Sequence, residues 1–85
     1  MKSRTFTVTT TAAEVVAAEP STRRVYLHVI GTADVYVGGS DVTTSNGLPT
    51  EKHTAPMEIT IPAGETLWAI VASSTEELRI LVQGD

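Results

Sequence analysis

Apolar residues recur at every second position along several short stretches of this chain. In the first of these, Phe6 and Val8 fall on one side of an extended backbone while threonines fall on the other. A period of two residues is typical of a β-strand with one buried face. The pattern predicts strands at residues 4–10, 12–17, 23–30, 35–37, 57–61, 67–72 and 78–82.

Turn-forming residues separate these stretches at intervals of roughly 8–12 residues, which is typical of antiparallel sandwiches and small barrels. Residues 12–17 are rich in alanine and would also suit one or two helical turns, but Val15-Val16 favours a strand. Residues 50–56 suit either a polar loop or an edge strand. We therefore predict an all-β fold, a small antiparallel β-sandwich of jelly-roll-like or Ig-like type with about seven or eight short strands.

Strands that follow one another along the chain are often paired in space. This tendency predicts a hairpin between residues 23–30 and 35–37, and another between residues 67–72 and 78–82. In the first hairpin Tyr26 would lie across from Tyr36, and the aromatic pair would stabilise it by roughly 0.2–1 kcal/mol.

Residues 35–49 are the stretch around which the rest of the sequence is organised. The first predicted turn is Gly38-Gly39 and the second is Asn46-Gly47, since all four residues tolerate positive φ. Val42 is the large apolar residue between the two turns, and we predict that it packs this segment onto the body of the domain.

The chain has 85 residues and no cysteine. A single domain spanning residues 1–85 has a modest core and no disulfide to stabilise it, so we expect homo-oligomerisation to bury further surface. The net charge of −4 argues against a nucleic-acid partner, which would require clustered lysine and arginine. No apolar run approaches the roughly 20 residues of a membrane-spanning helix, so we expect no membrane partner.

No group of residues has the spacing of a catalytic or metal site. His28 and His53 belong to different predicted elements and have no nearby ligand partner. Asp41 and the polar side chains near it offer oxygen ligands for calcium, but turn-capping hydrogen bonds explain them better. A triad of Ser40, His53 and Glu51 would lack a nucleophile elbow and an oxyanion hole. We predict a protein that is not an enzyme, without catalytic residues, metal or cofactor.

Residues 34–49 resemble a segment of small structural proteins of tailed bacteriophages, in which a strand ending Val-Tyr-Val-Gly-Gly leads into Ser-Asp-Val-Thr-Thr-Ser-Asn-Gly. A looser similarity extends to residues 23–30 and 61–71, whereas residues 50–56 are more polar than the link such proteins have there. The resemblance implies an all-β virion component, of the capsid decoration or head fibre type, and it supplies no catalytic residues.

The expected function is that of a capsid decoration protein, which oligomerises, with a trimer favoured, and binds the major capsid protein lattice on the outer surface of the virion after assembly in the host cytoplasm. Residues 1–11 are expected to act as an N-terminal arm or an edge strand. The alternatives are a fibre, tail or head–tail component, or a small carbohydrate-binding module with Trp68 as its stacking platform. The candidate interface residues are Phe6, Tyr26, His28, Tyr36, Asp41, Val42 and Trp68.

Overall fold

A computed structural model describes residues 2–31, 33–50 and 56–83. Within these ranges the secondary structure consists of β-strands, with no helix. The strands are β1 (Lys2–Val8), β2 (Ala13–Val16), β3 (Arg23–Val29), β4 (Val35–Gly38), β5 (Leu48–Thr50), β6 (Met57–Ile61), β7 (Leu67–Ile70) and β8 (Glu76–Gln83).

The strands form two four-stranded antiparallel sheets. Sheet A has the order β1-β8-β3-β6 and sheet B the order β2-β7-β4-β5. The first strand therefore pairs with the eighth, the second with the seventh, the third with the sixth and the fourth with the fifth. These four pairs form one long two-stranded antiparallel ribbon, whose tip lies between β4 and β5. The ribbon is wound so that β3 also pairs with β8 and β4 also pairs with β7, and these two pairings complete the sheets. This is the strand order of a jelly roll, and the predicted β-sandwich is confirmed.

The two hairpins predicted between sequence neighbours are wrong. β3 and β4 lie in different sheets, and so do β7 and β8. The connections between them, residues 30–34 and 71–75, are long enough to cross the roughly 10 Å between packed sheets. Tyr26 and Tyr36 consequently lie in different sheets and do not pair.

The structure also settles the secondary structure of two segments for which the sequence left alternatives, residues 13–16 and the region around Thr50. Residues 13–16 form a strand, so the helical alternative for this segment is not adopted. β5 spans the end of the stretch 35–49 and Thr50, the first residue of the segment predicted as a polar loop or an edge strand, and it pairs with β4 as the short edge strand of sheet B. Residues 51–55, which belong to the predicted polar loop, lie outside the described residues.

The core between the sheets is built from aliphatic side chains. Alternate residues of β3 and β8 point into it, and Leu27 and Leu78 are its largest fully buried members. The buried cluster comprises Val8, Val15, Val16, Val25, Leu27, Val29, Val35, Val37, Ile61, Leu67, Ala69, Val71, Leu78, Ile80 and Val82. Because β-branched and leucine side chains fill the interior, the larger aromatic residues lie elsewhere.

One end of the core is closed by a buried arginine. Arg23 is only 2% exposed and points inward from the start of β3. Its guanidinium donates hydrogen bonds to the carbonyl oxygens of Ala17 at 2.6 Å, Glu65 at 3.1 Å and Ser21 at 3.4 Å. These bonds tie the β2–β3 connection to the β6–β7 connection, so one side chain links loops that leave different sheets.

The other end of the core is tied by a carboxylate. Glu76 accepts hydrogen bonds from the backbone N–H groups of Ala33, at 2.9 Å, and Glu77, at 3.1 Å. Gly31 leaves room for this carboxylate, because a Cβ atom at that position would overlap it. The β3–β4 connection is thereby fixed against the start of β8.

We expect Arg23→Ala to lower the free energy of unfolding by about 2–4 kcal/mol, because it removes a buried side chain together with three partly buried hydrogen bonds from a charged donor. Arg24→Ala is the matched control: the neighbouring Arg24 is about half exposed and pairs with Glu58 at 2.7 Å, a surface contact worth about 1 kcal/mol or less. Urea denaturation of both variants measures the difference. Equal losses in the two variants would contradict the role assigned to Arg23.

Candidate interaction surfaces

Three of the four aromatic residues lie on the outer faces of the sandwich rather than in its interior. The chain has one tryptophan, two tyrosines and one phenylalanine, and each is partly buried. Phe6 packs against the edge of the core, whereas the other three point outward from the two sheets. Since aromatic side chains carry the largest apolar areas, this arrangement leaves apolar surface on the outside of a small domain.

The outer side of sheet B carries what we call the aromatic face, defined by Tyr36, Pro49, Trp68 and Ile70. Tyr36 lies between Ile70 on β7 and Pro49 on β5, and Trp68 lies opposite Gly38 on β4. None of the outward residues of β4, β5 and β7 is charged. The aromatic face therefore presents apolar groups from three neighbouring strands.

Trp68 is held in place by a hydrogen bond within its own chain. Its indole Nε1–H donates to Thr66 Oγ1 at 3.0 Å. On its other side, Glu14 of β2 is its cross-strand partner and is exposed. Because the polar group of the indole already has a partner, the ring contributes mainly apolar surface to the aromatic face.

The outer side of sheet A, which we call the polar face, has a different chemical character. Outward residues of β3 and β8 lie opposite each other here, with Tyr26 next to Leu81 and His28 next to Arg79. A shallow groove of about 430 Å³ crosses this surface and is lined by these four residues among others. On the same side of the sheet, Arg24 forms an ion pair with Glu58 at 2.7 Å and Arg79 forms one with Glu77 at 2.7 Å.

Residues 39–47 form the tip of the ribbon, beside the aromatic face. Val42 is 4% exposed and packs against Gly38, so its predicted role as an anchor is confirmed. The Asn46 side chain accepts a hydrogen bond from the N–H of Thr43 at 2.7 Å and donates one to the carbonyl oxygen of Asp41 at 3.3 Å. These contacts support turn capping rather than calcium binding as the role of the polar residues here.

Gly47 of the tip is required for a reason that differs from the predicted one. Gly64, which lies outside the tip, is the described glycine with positive φ. Gly47 is needed for space: a Cβ atom there would lie 2.7 Å from Tyr36 Cβ and 2.9 Å from the carbonyl oxygen of Thr43. The tip is thus packed closely against the strand that carries Tyr36.

The candidate interface residues are divided among four places. Tyr36 and Trp68 come together on the aromatic face, and Tyr26 and His28 on the polar face. Asp41 is exposed in the tip and Val42 is buried there, while Phe6 packs against the core. Ile70 and Pro49 were missed because their positions follow from strand pairing, which the sequence did not predict.

The acidic and histidine side chains are spread over the part of the chain that the structure describes. No three histidine, aspartate or glutamate side chains within that part are grouped so as to hold a metal ion. His53 and Glu51, which would complete a triad with Ser40, lie outside the described residues. No helix in the described ranges is long and apolar enough to cross a membrane.

Comparison of the chain with models of protein families, with curated proteins and with solved structures finds no match. We therefore infer a function from the surfaces described above and from the resemblance of residues 34–49.

We expect Gly47→Ala to lower the free energy of unfolding by about 1–3 kcal/mol, because the added methyl group displaces backbone as well as side-chain atoms. Gly39→Ala is the control, since the nearest atom to a Cβ atom there is Asp41 Oδ1 at 3.4 Å, an ordinary contact. Urea denaturation midpoints measure both effects. If Gly39→Ala proved the more damaging change, the close packing of the tip would not be the constraint on these glycines.

Proposed function

We propose that this protein is a non-enzymatic structural component of a virion, which binds the lattice of the major capsid protein on the outer surface of the head and stabilises it. The aromatic face is the docking surface for the capsid in this proposal. The trimer expected from the sequence stays a prediction that this proposal does not require.

The observation that carries the proposal is the contrast between the two outer faces. The aromatic face combines Tyr36, Pro49, Trp68 and Ile70 with no charge on three strands, whereas the polar face carries two ion pairs. Contiguous apolar surface on a small soluble domain indicates a binding site. Aromatic residues are also enriched at the centres of protein interfaces, where they contribute most of the binding energy.

Two further points support a virion role. The jelly-roll sandwich is found in viral capsid domains, although fold alone is an analogy and lectin domains share it. The segment that resembles phage structural proteins, residues 34–49, contains β4, the tip and part of β5. It therefore contributes Tyr36 and Pro49 directly to the aromatic face, so the resemblance and the surface argument concern the same region.

The proposed mechanism needs a rigid face rather than a reactive group. Trp68 is fixed by its bond to Thr66, and Tyr36 is held between two neighbouring strands. Little side-chain entropy is then lost on docking, which favours binding by a small surface. Many copies on a repeating lattice, each bridging capsid subunits, would add modest individual contacts into substantial stabilisation of the shell.

A charge placed on each face in turn tests this proposal. Ile70→Lys puts an ammonium group into the aromatic face and is expected to weaken binding to particles of the cognate major capsid protein at least about tenfold. Leu81→Lys is the matched control, because Leu81 is also a half-buried aliphatic residue on a central strand and points outward on the polar face. Co-sedimentation with particles measures binding, and thermal unfolding shows that both variants are folded.

Retained binding by folded Ile70→Lys would contradict the assignment of the aromatic face. Loss of binding by Leu81→Lys alone would move the docking surface to sheet A. Failure of the unmodified protein to bind particles would remove the capsid proposal itself.

A carbohydrate-binding module is the second candidate, favoured by the position of Tyr36 and Trp68 on the same face. Sugars stack on aromatic rings, and a planar β-sheet surface can present two of them together. On this alternative, a glycan array gives specific signals that Trp68→Ala abolishes while the variant keeps its fold. An array without signal for the unmodified protein would exclude it for the glycans displayed.

A further inference from the structure

The open sheets of the sandwich have four edge strands, and these strands differ in how well they are protected. β1 and β6 are the edges of sheet A, and β2 and β5 are the edges of sheet B. An edge strand presents backbone N–H and C=O groups that can pair with a strand from another chain. Natural sheets commonly block such edges with inward-pointing charges, bulges, prolines or short strands.

Three of the four edges carry one of these features. β1 has Lys2 and Arg4 on its inward side, and the Arg4 guanidinium donates a hydrogen bond of 2.9 Å to the carbonyl oxygen of Val15 on β2. The register of β2 is shifted by a bulge between Glu14 and Val16. β5 is three residues long and has Pro49 at its centre.

β6 has no such feature along its length. Its five residues, Met57–Ile61, include no proline, glycine or inward-pointing charge, and its register with β3 is regular throughout. Its one charged residue, Glu58, points outward and is paired with Arg24 on β3. Two isoleucines and a threonine give the strand a high β-propensity. No described strand pairs with its second edge.

The flank of the sandwich beside β6 is also incompletely covered. Leu48 of β5 shares its side of sheet B with the buried Val37, yet it is 57% exposed. Met57 and Ile59 of β6 pack against the core but are only partly buried. Apolar side chains that face the interior therefore reach the surface on the same flank as the unprotected edge.

We propose that β6 pairs with β6 of a second copy of this chain, antiparallel about a two-fold axis at Ile59, to give a dimer with a continuous eight-stranded sheet. In this register Ile59 faces its own equivalent, Glu58 faces Thr60 and Met57 faces Ile61 of the other copy. No two like charges meet across the axis, so the strand is complementary to itself.

The symmetry of β6 favours a second copy over an unrelated strand as the occupant. Pro56 and Pro62 limit the strand to the same five residues in both chains, so the paired lengths match and every position finds a partner. A two-fold contact of this kind closes on itself and does not propagate into a fibre. The flank residues Leu48, Met57 and Ile59 would then be covered by their equivalents. The inference does not depend on the capsid role.

The native mass of the purified chain, measured between micromolar and millimolar concentration, is the first test. A mass of twice the 9.0 kDa of one chain is expected. A species that remains a monomer throughout, or a trimer, would overturn the proposal.

A charge exchange then tests the register. Thr60→Glu places its carboxylate opposite Glu58 of the other copy at two symmetric positions and is expected to raise the dissociation constant of the dimer about tenfold. Within its own chain the same carboxylate lies opposite Arg24, so the monomer stays folded. Adding Glu58→Lys to Thr60→Glu makes both contacts attractive and is expected to restore the dimer. Thr5→Glu is the control, because Thr5 is also an exposed threonine on an edge strand, β1.

Disulfide formation supplies a second, independent readout, because the chain has no cysteine of its own. Directly opposed residues of antiparallel strands have Cα atoms about 4.5–5.5 Å apart, which is within disulfide range. Ile59→Cys is therefore expected to cross-link two chains on mild oxidation, whereas Thr60→Cys on the same strand is not. Equal cross-linking of the two variants, or a dimer that Thr5→Glu disrupts and Thr60→Glu does not, would show that another surface joins the copies.

Discussion

The antiparallel pairing of strands from opposite ends of the chain is the constraint on which this structure depends. β1 lies along β8 over seven matched residues, and the remaining strands follow as a ribbon that narrows to the β4–β5 tip. Each four-stranded sheet is completed by one pairing between separate parts of the ribbon, β3 with β8 in sheet A and β4 with β7 in sheet B. The tight tip and the polar side chains that tie the connections are needed because the ribbon has to fold back on itself within 85 residues.

The sequence predicted the class of fold and most strands, because alternation of apolar side chains reports directly on a half-buried strand. Val25, Leu27 and Val29 are buried as the pattern indicates. The order of the strands could not be predicted, because pairing is decided by long-range contacts that leave no periodic signal in the sequence. The rule that neighbours pair gave two wrong hairpins for this reason, and it also placed Tyr26 beside Tyr36.

The candidate interaction surface was also predicted only in part. The residues that were missed depend on strand pairing, which the sequence does not reveal. Tyr36 and Trp68 were predicted as candidate interface residues, but only the β4–β7 pairing brings them to one face and adds Ile70. The sequence predicted no structural role for Arg23, whereas the chain uses it to satisfy backbone carbonyls at one end of the core. The sequence around an arginine at the start of a strand does not show which backbone carbonyl groups the fold will bring close to its guanidinium.

The pairing of the first strand with the last has a mechanical consequence. Lys2 lies opposite Val82, so the chain enters and leaves sheet A side by side at one corner. A load applied between the two ends opens the β1–β8 ladder one hydrogen bond at a time, instead of shearing all of its bonds together. The sandwich therefore resists tension along its own chain poorly, whereas a load transmitted through its faces acts on the whole packed core.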